Sequence, residues 1–291
     1  MFSFVLALAV AADPTAAHLD RNPLYKELLD PGLAVGPGLR ARPPAPTMAD
    51  GLTPAAQTAV IKKLIAADYE YEEFTRKSVV APQLLKVRNV DPSDPKAPAR
   101  GIDVWFVGYG DFEATEDAKF VERAVNAGRE TSDGKGRELT ADELARRKIV
   151  LTEENAKRER YGSFQGDFLE KVRIQGVGRV VWTKNAESVV VASVIDPRFA
   201  GDAEFPNQWR GVVKADGEVK ITDPQPYGGA GFFLKITKLA EPAGAMFFEL
   251  HVVFAEPTGW FDGAPLLRAK LPIAVQSTVR AMRREWIKTV K

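Results

Sequence analysis

Near the end of the chain, Glu249 and His251 stand two residues apart in the run MFFELHVVFA, and Glu256, Trp260, Phe261 and Asp262 follow closely. On an extended strand alternate side chains share a face. Glu249 and His251 would then be neighbours beside Phe247 and Val253, with Phe248, Leu250, Val252 and Phe254 on the other side. A carboxylate next to an imidazole can fix its tautomer and orient it as a general base or a metal ligand. Catalytic zinc takes three protein ligands, however, and the one other histidine, His18, is far away in the sequence. No serine is singled out as a nucleophile, so a Ser-His-Asp arrangement stays open only in principle. A structural role is the preferred reading of His251. The competing one is catalysis by His251 and Glu249, with Glu256 or Asp262 as acid or base.

Pro257 and Gly259 put Trp260 and Phe261 in a turn after that strand, next to Glu256 and Asp262. Loop aromatics beside carboxylates serve sugar binding and glycoside hydrolysis, and hydrolysis needs two carboxyls about 5 to 9.5 Å apart. Packing back over a sheet edge or barrel end is the preferred alternative, because aromatic rings pack more often than they bind. Tyr227, in QPYGGAG, completes the candidate ligand contacts with Trp260 and Phe261. This glycine-rich loop lacks the Lys-Ser/Thr pair and the following helix of a phosphate cradle. Gly176-x-Gly178 opens like a dinucleotide fingerprint but runs into RVVWTK, so a bulge or tight bend explains it better. No cofactor and no metal site is expected.

Composition narrows the classes further. Forty Lys and Arg against 39 Asp and Glu give a net charge of +1, too little field to hold a phosphate backbone, so nucleic acid is not an expected partner. The chain has no cysteine, which excludes disulfides, thiol catalysis and iron–sulfur clusters. The opening MFSFVLALAVAA, residues 1–12, reads as the apolar part and small-x-small cleavage site of a secretory signal without its basic leader. Export to the periplasm or the extracellular space is therefore expected, against an apolar strand or helix of a cytoplasmic protein. No segment reaches transmembrane length, and a membrane-surface role for the basic C-terminal helix is not favoured.

Residues 13–50 are rich in Pro, Ala and Gly and read as an extended arm or linker with His18 in solvent. Residues 51–291 read as a single domain. Thr53 and Pro54 cap and open a helix that should run to the neighbourhood of Pro82. GIDVWFVGYG reads as a strand buried on both faces, and a charged helical insertion follows at about 111–162, with a capping box at Thr140 and Glu143. From Phe168 the apolar period switches to two. Short turns at NAE, Asp216-Gly217 and AEPAG make three hairpins. An amphipathic helix carrying Val275, Val279, Met282 and Trp286 closes the chain, with Pro272 before its first turn.

These elements predict an α+β fold: about eight antiparallel strands in a curved sheet, barrel-like or sandwich, with flanking helices and a C-terminal amphipathic helix. The leading functional expectation is an exported, soluble, non-catalytic module that binds a small molecule or a protein partner. A secreted carboxylate-dependent hydrolase, acting on glycans, and a structural cell-envelope protein are the alternatives.

Overall fold

The computed structural model describes residues 16–36, 38–90, 99–117, 120, 123, 136–215, 218–257, 260 and 266–290. The opening residues 1–12 and the Asp216-Gly217 turn lie outside these. Among the described residues, eight strands are seven residues or longer. They are β3 (Gln83–Asn89), β4 (Ala99–Tyr109), β6 (Glu159–Phe168), β7 (Val172–Lys184), β8 (Ser188–Ile195), β9 (Gln208–Ala215), β12 (Ala230–Lys238) and β13 (Ala245–Ala255). Every pairing is antiparallel, in the order β3-β4-β13-β12-β8-β7-β6. The short strands β5 (Arg137–Glu138), β10 (Glu218–Ile221) and β11 (Gln225–Pro226) line its margins, and β1 (Leu33–Gly36) and β2 (Leu39–Ala41) form a separate hairpin. β3 and β5 do not pair, so the sheet stays an open, curled half-barrel. The α+β expectation and the three hairpins are met.

The direction of curl follows from one ring pair. Phe168 on β6 and Phe254 on β13 are four strand spacings apart along the sheet, roughly 19 Å if it were flat. Their ring centroids are 5.5 Å apart. The face carrying both rings, with Phe106, Phe248, Leu250 and Val252, is therefore the concave one. Cross-strand register places Asp103, Trp105, Lys235, Glu249 and His251 on the convex face.

The convex face is covered along its length. Helix α3 (Pro54–Ile65), capped by Thr53, packs with Phe74 of α4 (Tyr71–Phe74) over Leu84, Trp105, Val107 and Phe247. The short helix Ala141–Ala145, with its Thr140–Glu143 capping box, joins Ile149 and Phe199 over Tyr161 and Val177. Between these, α2 (Pro23–Leu29) sets Tyr25 edge-on to Phe233 at 5.2 Å. The concave face carries the C-terminal helix, Leu266–Ile287, whose Trp286 meets Phe248 at 5.5 Å. Arg283 of this helix is buried without a carboxylate and donates to the carbonyls of Val79, Ala81, Pro82 and Val107. Burial, with Arg280 nearby, brings its pKa down to about 10. Among the described residues no helix is long and apolar enough to cross a membrane.

Four sequence expectations need correction. Residues 16–50 are not a free arm but lie packed on the sheet, and His18 is buried rather than solvated. The helix from Thr53 stops at Ile65 and resumes as α4, and β3 follows Pro82. The charged stretch expected to be helical turns into β6 at Glu159, because its charges pair across strands: Glu159 with Arg179, and Arg160 with Glu138. The C-terminal helix starts at Leu266, with Pro272 inside it on the exposed side, where water can take the carbonyl freed by its missing N–H.

Gly176-x-Gly178 marks where β7 changes neighbour, pairing with β9 over Val172–Gln175 and with β8 from Gly178 onward. A Cβ on Gly176 would lie 2.6 Å from Asn207 Oδ1. Asn207 is itself fixed by bonds to Val177 N and Asp196 O. Gly176→Ala should therefore cost on the order of 1–3 kcal/mol. Gly178→Ala, whose Cβ meets nothing closer than 3.9 Å, should stay within about 0.5 kcal/mol of the parent. Thermal melts of the two variants check this, and equal losses would contradict the bend.

Candidate functional site

β13 brings Glu249 and His251 to the convex face as the two-residue period requires, and both are wholly buried there. His251 Nδ1 lies 2.8 Å from Asp103 Oδ1 on β4, and Arg88 Nε donates to Asp103 Oδ2 at 3.0 Å. On its other side His251 Nε2 is 4.0 Å from Glu249 Oε2. Glu249 accepts the backbone N–H groups of Thr47 at 2.6 Å and Met48 at 3.0 Å. Those groups are free because the extended, proline-rich chain before them forms no ladder of its own.

Lys235, opposite Glu249 in register, ion-pairs with Asp50 at 2.7 Å and donates to Met48 O at 2.5 Å. Asp50 also accepts from Ser188 Oγ at 2.8 Å and Asn185 Nδ2 at 3.0 Å. Burial works against the Asp50 charge, but Lys235, with the hydrogen bonds from Ser188 and Asn185, outweighs it and holds the carboxyl below its usual range.

Ser188, His18 and Asp50 superficially repeat a nucleophile–base–acid order, with Ser188 Oγ 3.2 Å from His18 Nε2 and His18 Nδ1 3.7 Å from Asp50. Ser188 donates directly to Asp50, however, and neither Ser188 nor His18 has any exposed surface. No substrate carbonyl can reach the hydroxyl. The whole seam joins residues 16–50 to the sheet. Its chemistry is that of a fastener.

The other sequence candidates do not join it. Glu256 lies past the end of β13 and pairs with Arg100. Asp262 and Phe261 lie outside the described residues. Trp260 is buried and stacks on Tyr227 at 5.3 Å and 18°, with Phe254, Trp209 and Phe168 around it. Tyr227 Oη donates to Ala255 O at 3.1 Å, and burial pushes its phenol pKa up. Trp260 and Tyr227 thus meet in an aromatic cluster at one end of the concave face. Asp50, Asp103 and Lys235 escaped the sequence analysis, although two of them carried a signal. Each is a lone charge in a strand otherwise apolar, GIDVWFVGY and GFFLKITK, which requires an opposite partner.

The described residues cover the concave face less completely than the convex one. Between the Trp260 cluster and the Trp286–Phe248–Phe106 stack, two cross-strand rows run from β3 to β7. One is Val87, Ile102, Val252, Phe232, Ser193 and Val180, and the other is Leu85, Val104, Leu250, Leu234, Val191 and Trp182. Leu85, Leu250, Val252, Phe232, Val180 and Trp182 are only half-buried, and Val87 is 42% exposed. Ser193 is the polar interruption, and its hydroxyl makes no hydrogen bond among the described residues. A separate, polar cavity of about 410 Å³ lies between Arg137, Gln165, Gln175 and Phe205. None of the sequence candidates lines it.

The seam also sets a pH dependence. His251 faces Asp103 and Arg88 from the neighbouring strands and Glu249 from its own, with the Lys235–Asp50 pair beyond. Burial disfavours its charge, but the Asp103 hydrogen bond and Glu249 outweigh this, and its pKa stands above the ordinary value. A raised value contributes full stability below the unfolded pKa, about 6.5, and loses it as pH rises through the folded one. The urea midpoint should fall as pH rises above the ordinary histidine range, with a shallower fall in His251→Gln. A parallel fall in both proteins would contradict the assignment.

No protein-family model and no curated protein matches the chain. Among solved structures it is similar to the human StarD13 (DLC2) lipid transfer and protein localization domain, with a TM-score of 0.42, 8% identity, and 72% of this chain and 86% of that one covered. It is also similar to human StAR-related lipid transfer protein 5, with a TM-score of 0.41, 11% identity, and 82% and 98% covered. Human STARD10 follows, with a TM-score of 0.38, 10% identity, and 79% and 81% covered. Likenesses at this level assign neither family nor ligand.

Proposed function

We propose that the chain binds an elongated apolar small molecule, or the apolar part of one, in the trough between the concave face and the C-terminal helix. The observation that carries this is the contrast between the two faces of one strand. On β13, Phe247, Glu249, His251 and Val253 are sealed, whereas on the other face Leu250 and Val252, between the buried Phe248 and Phe254, are only partly buried. Leaving such side chains in water forgoes roughly 25 cal/mol per Å² of apolar surface. A ligand that covers them recovers it. The rows cross five strand spacings, roughly 24 Å along the curve, which suits a long molecule better than a compact one. Ser193 offers the one free hydroxyl in the rows, placed to meet a polar atom of the ligand.

A carboxylate hydrolase has less support, since Glu249 and His251 are sealed and Glu256 is paired. Export stays part of the proposal on the apolar opening at residues 1–12. N-terminal sequencing of protein recovered from outside the cytoplasm tests it, and a cytosolic protein starting at Met1 would overturn it.

The ligand reading is checked with an apolar fluorescent probe and with mass spectrometry of co-purifying molecules. Val252→Trp, which fills the trough, should weaken probe binding about tenfold or more without lowering Tm. Ser193→Val should weaken a ligand bearing a hydrogen-bond acceptor by about 0.5–1.5 kcal/mol and leave the probe unaffected. Probe binding unchanged in Val252→Trp, or no binding by the parent, would sink the proposal.

A further inference from the structure

The β9–β10 hairpin reaches past the body of the sheet. β9 pairs with β7 only over Gln208–Gly211, and β10, which is exposed throughout, pairs with β9 alone among the described residues. Val213, Val219 and Ile221 are 47%, 58% and 38% exposed. Thr222 N donates to Gly211 O at 3.0 Å. By alternation Lys220 and Glu218 turn their peptide groups toward β9, and Val219 and Ile221 turn theirs outward. An apolar edge with outward N–H and C=O groups is a template for another strand, and charges on such an edge normally guard it.

Here the guard is self-complementary. In an antiparallel pair of β10 strands centred on Val219, Glu218 of each copy lies directly opposite Lys220 of the other, and the two Val219 residues exchange both backbone hydrogen bonds. Centring the pair on Lys220 would oppose two lysines, and centring it on Ile221 would set Val219 against Asp223. Only the Val219 register matches charge with charge and apolar with apolar.

We propose that two copies of this chain associate through β10 edges in this register, joining their sheets across a two-fold axis. The contact is isologous and closes on itself, so it gives a dimer and not a fibre. Four residues a side make it a weak, reversible interface.

Sedimentation equilibrium of the full chain over a range of concentrations tests the proposal. The parent should move from monomer toward dimer as concentration rises. Lys220→Glu, which sets glutamate against glutamate, should raise the dimer Kd about tenfold or more. Adding Glu218→Lys to the same chain should restore association to within about threefold, because the swapped pair is again self-complementary. The single variants Glu218→Lys and Lys220→Glu should associate with each other and not with themselves. Both positions are on the surface, so melting temperatures of the variants should match the parent and serve as the folding control. A parent that stays monomeric at its highest soluble concentration, or a Lys220→Glu variant that dimerises like the parent, would overturn the proposal.

Discussion

Three charged side chains on adjacent strands, Asp103, Lys235 and Glu249, point into the covered face of the sheet. A buried charge without partners costs several kcal/mol, and removing one partner of a buried pair typically costs about 3–5 kcal/mol. That requirement organises the rest of the molecule. Each charge is answered: Asp103 by Arg88 on the edge strand and His251 on the next strand, and from outside the sheet Lys235 by Asp50 and Met48 O and Glu249 by the Thr47 and Met48 amides. Several of these partners belong to residues 42–50, so the path of the N-terminal chain over the sheet is dictated by charges two hundred residues away. Hydrophobic contacts of Leu24, Tyr25 and Leu28 add area, while the polar seam supplies register.

The two faces of the sheet are covered unequally by the described residues. An antiparallel sheet commonly buries one side and leaves the second to water or to a partner. Here the second side is neither. Aromatic clusters lie at its two ends, the C-terminal helix lies over part of it, and several side chains of the rows between are only partly covered by the described residues. Arg283 anchors the far end of that helix through four backbone carbonyls. The guanidinium is held by loop and strand backbone, beside the packing of Val279, Met282 and Trp286 against the same core.

Much of the architecture was legible in the sequence because it rests on local periodicity. The two-residue period from Phe168 onward, the turn residues between strands and the apolar spacing of Val279, Met282 and Trp286 each decide an element within a few residues of themselves. Where the sequence misled, the deciding partner was remote. Glu159 and Arg160 look helical until Arg179 and Glu138 are placed across from them. The proline-rich segment looks like a free arm, since nothing near it shows that Glu249 needs its amides. Lys86 and Arg88 hide β3, although they lie there to reach Trp105 and Asp103.

The same distinction governs the Glu249–His251 pair. Strand register alone puts a carboxylate and an imidazole side by side, and that local geometry is equally fit for a general base and for a structural contact. What separates the two is access, because a base must meet a proton donor on a substrate, whereas a fastener must exclude water to hold its charges firmly. Residues 16–50 decide it by closing over the pair, and they bring His18 into a second, equally sealed contact with Asp50 and Ser188. Both histidines of the chain are thereby buried in polar contacts, His251 with Asp103 and Glu249 of the sheet and His18 with Ser188 and Asp50. On the opposite face the described residues of the two rows offer apolar side chains, the Trp182 ring and a single serine hydroxyl.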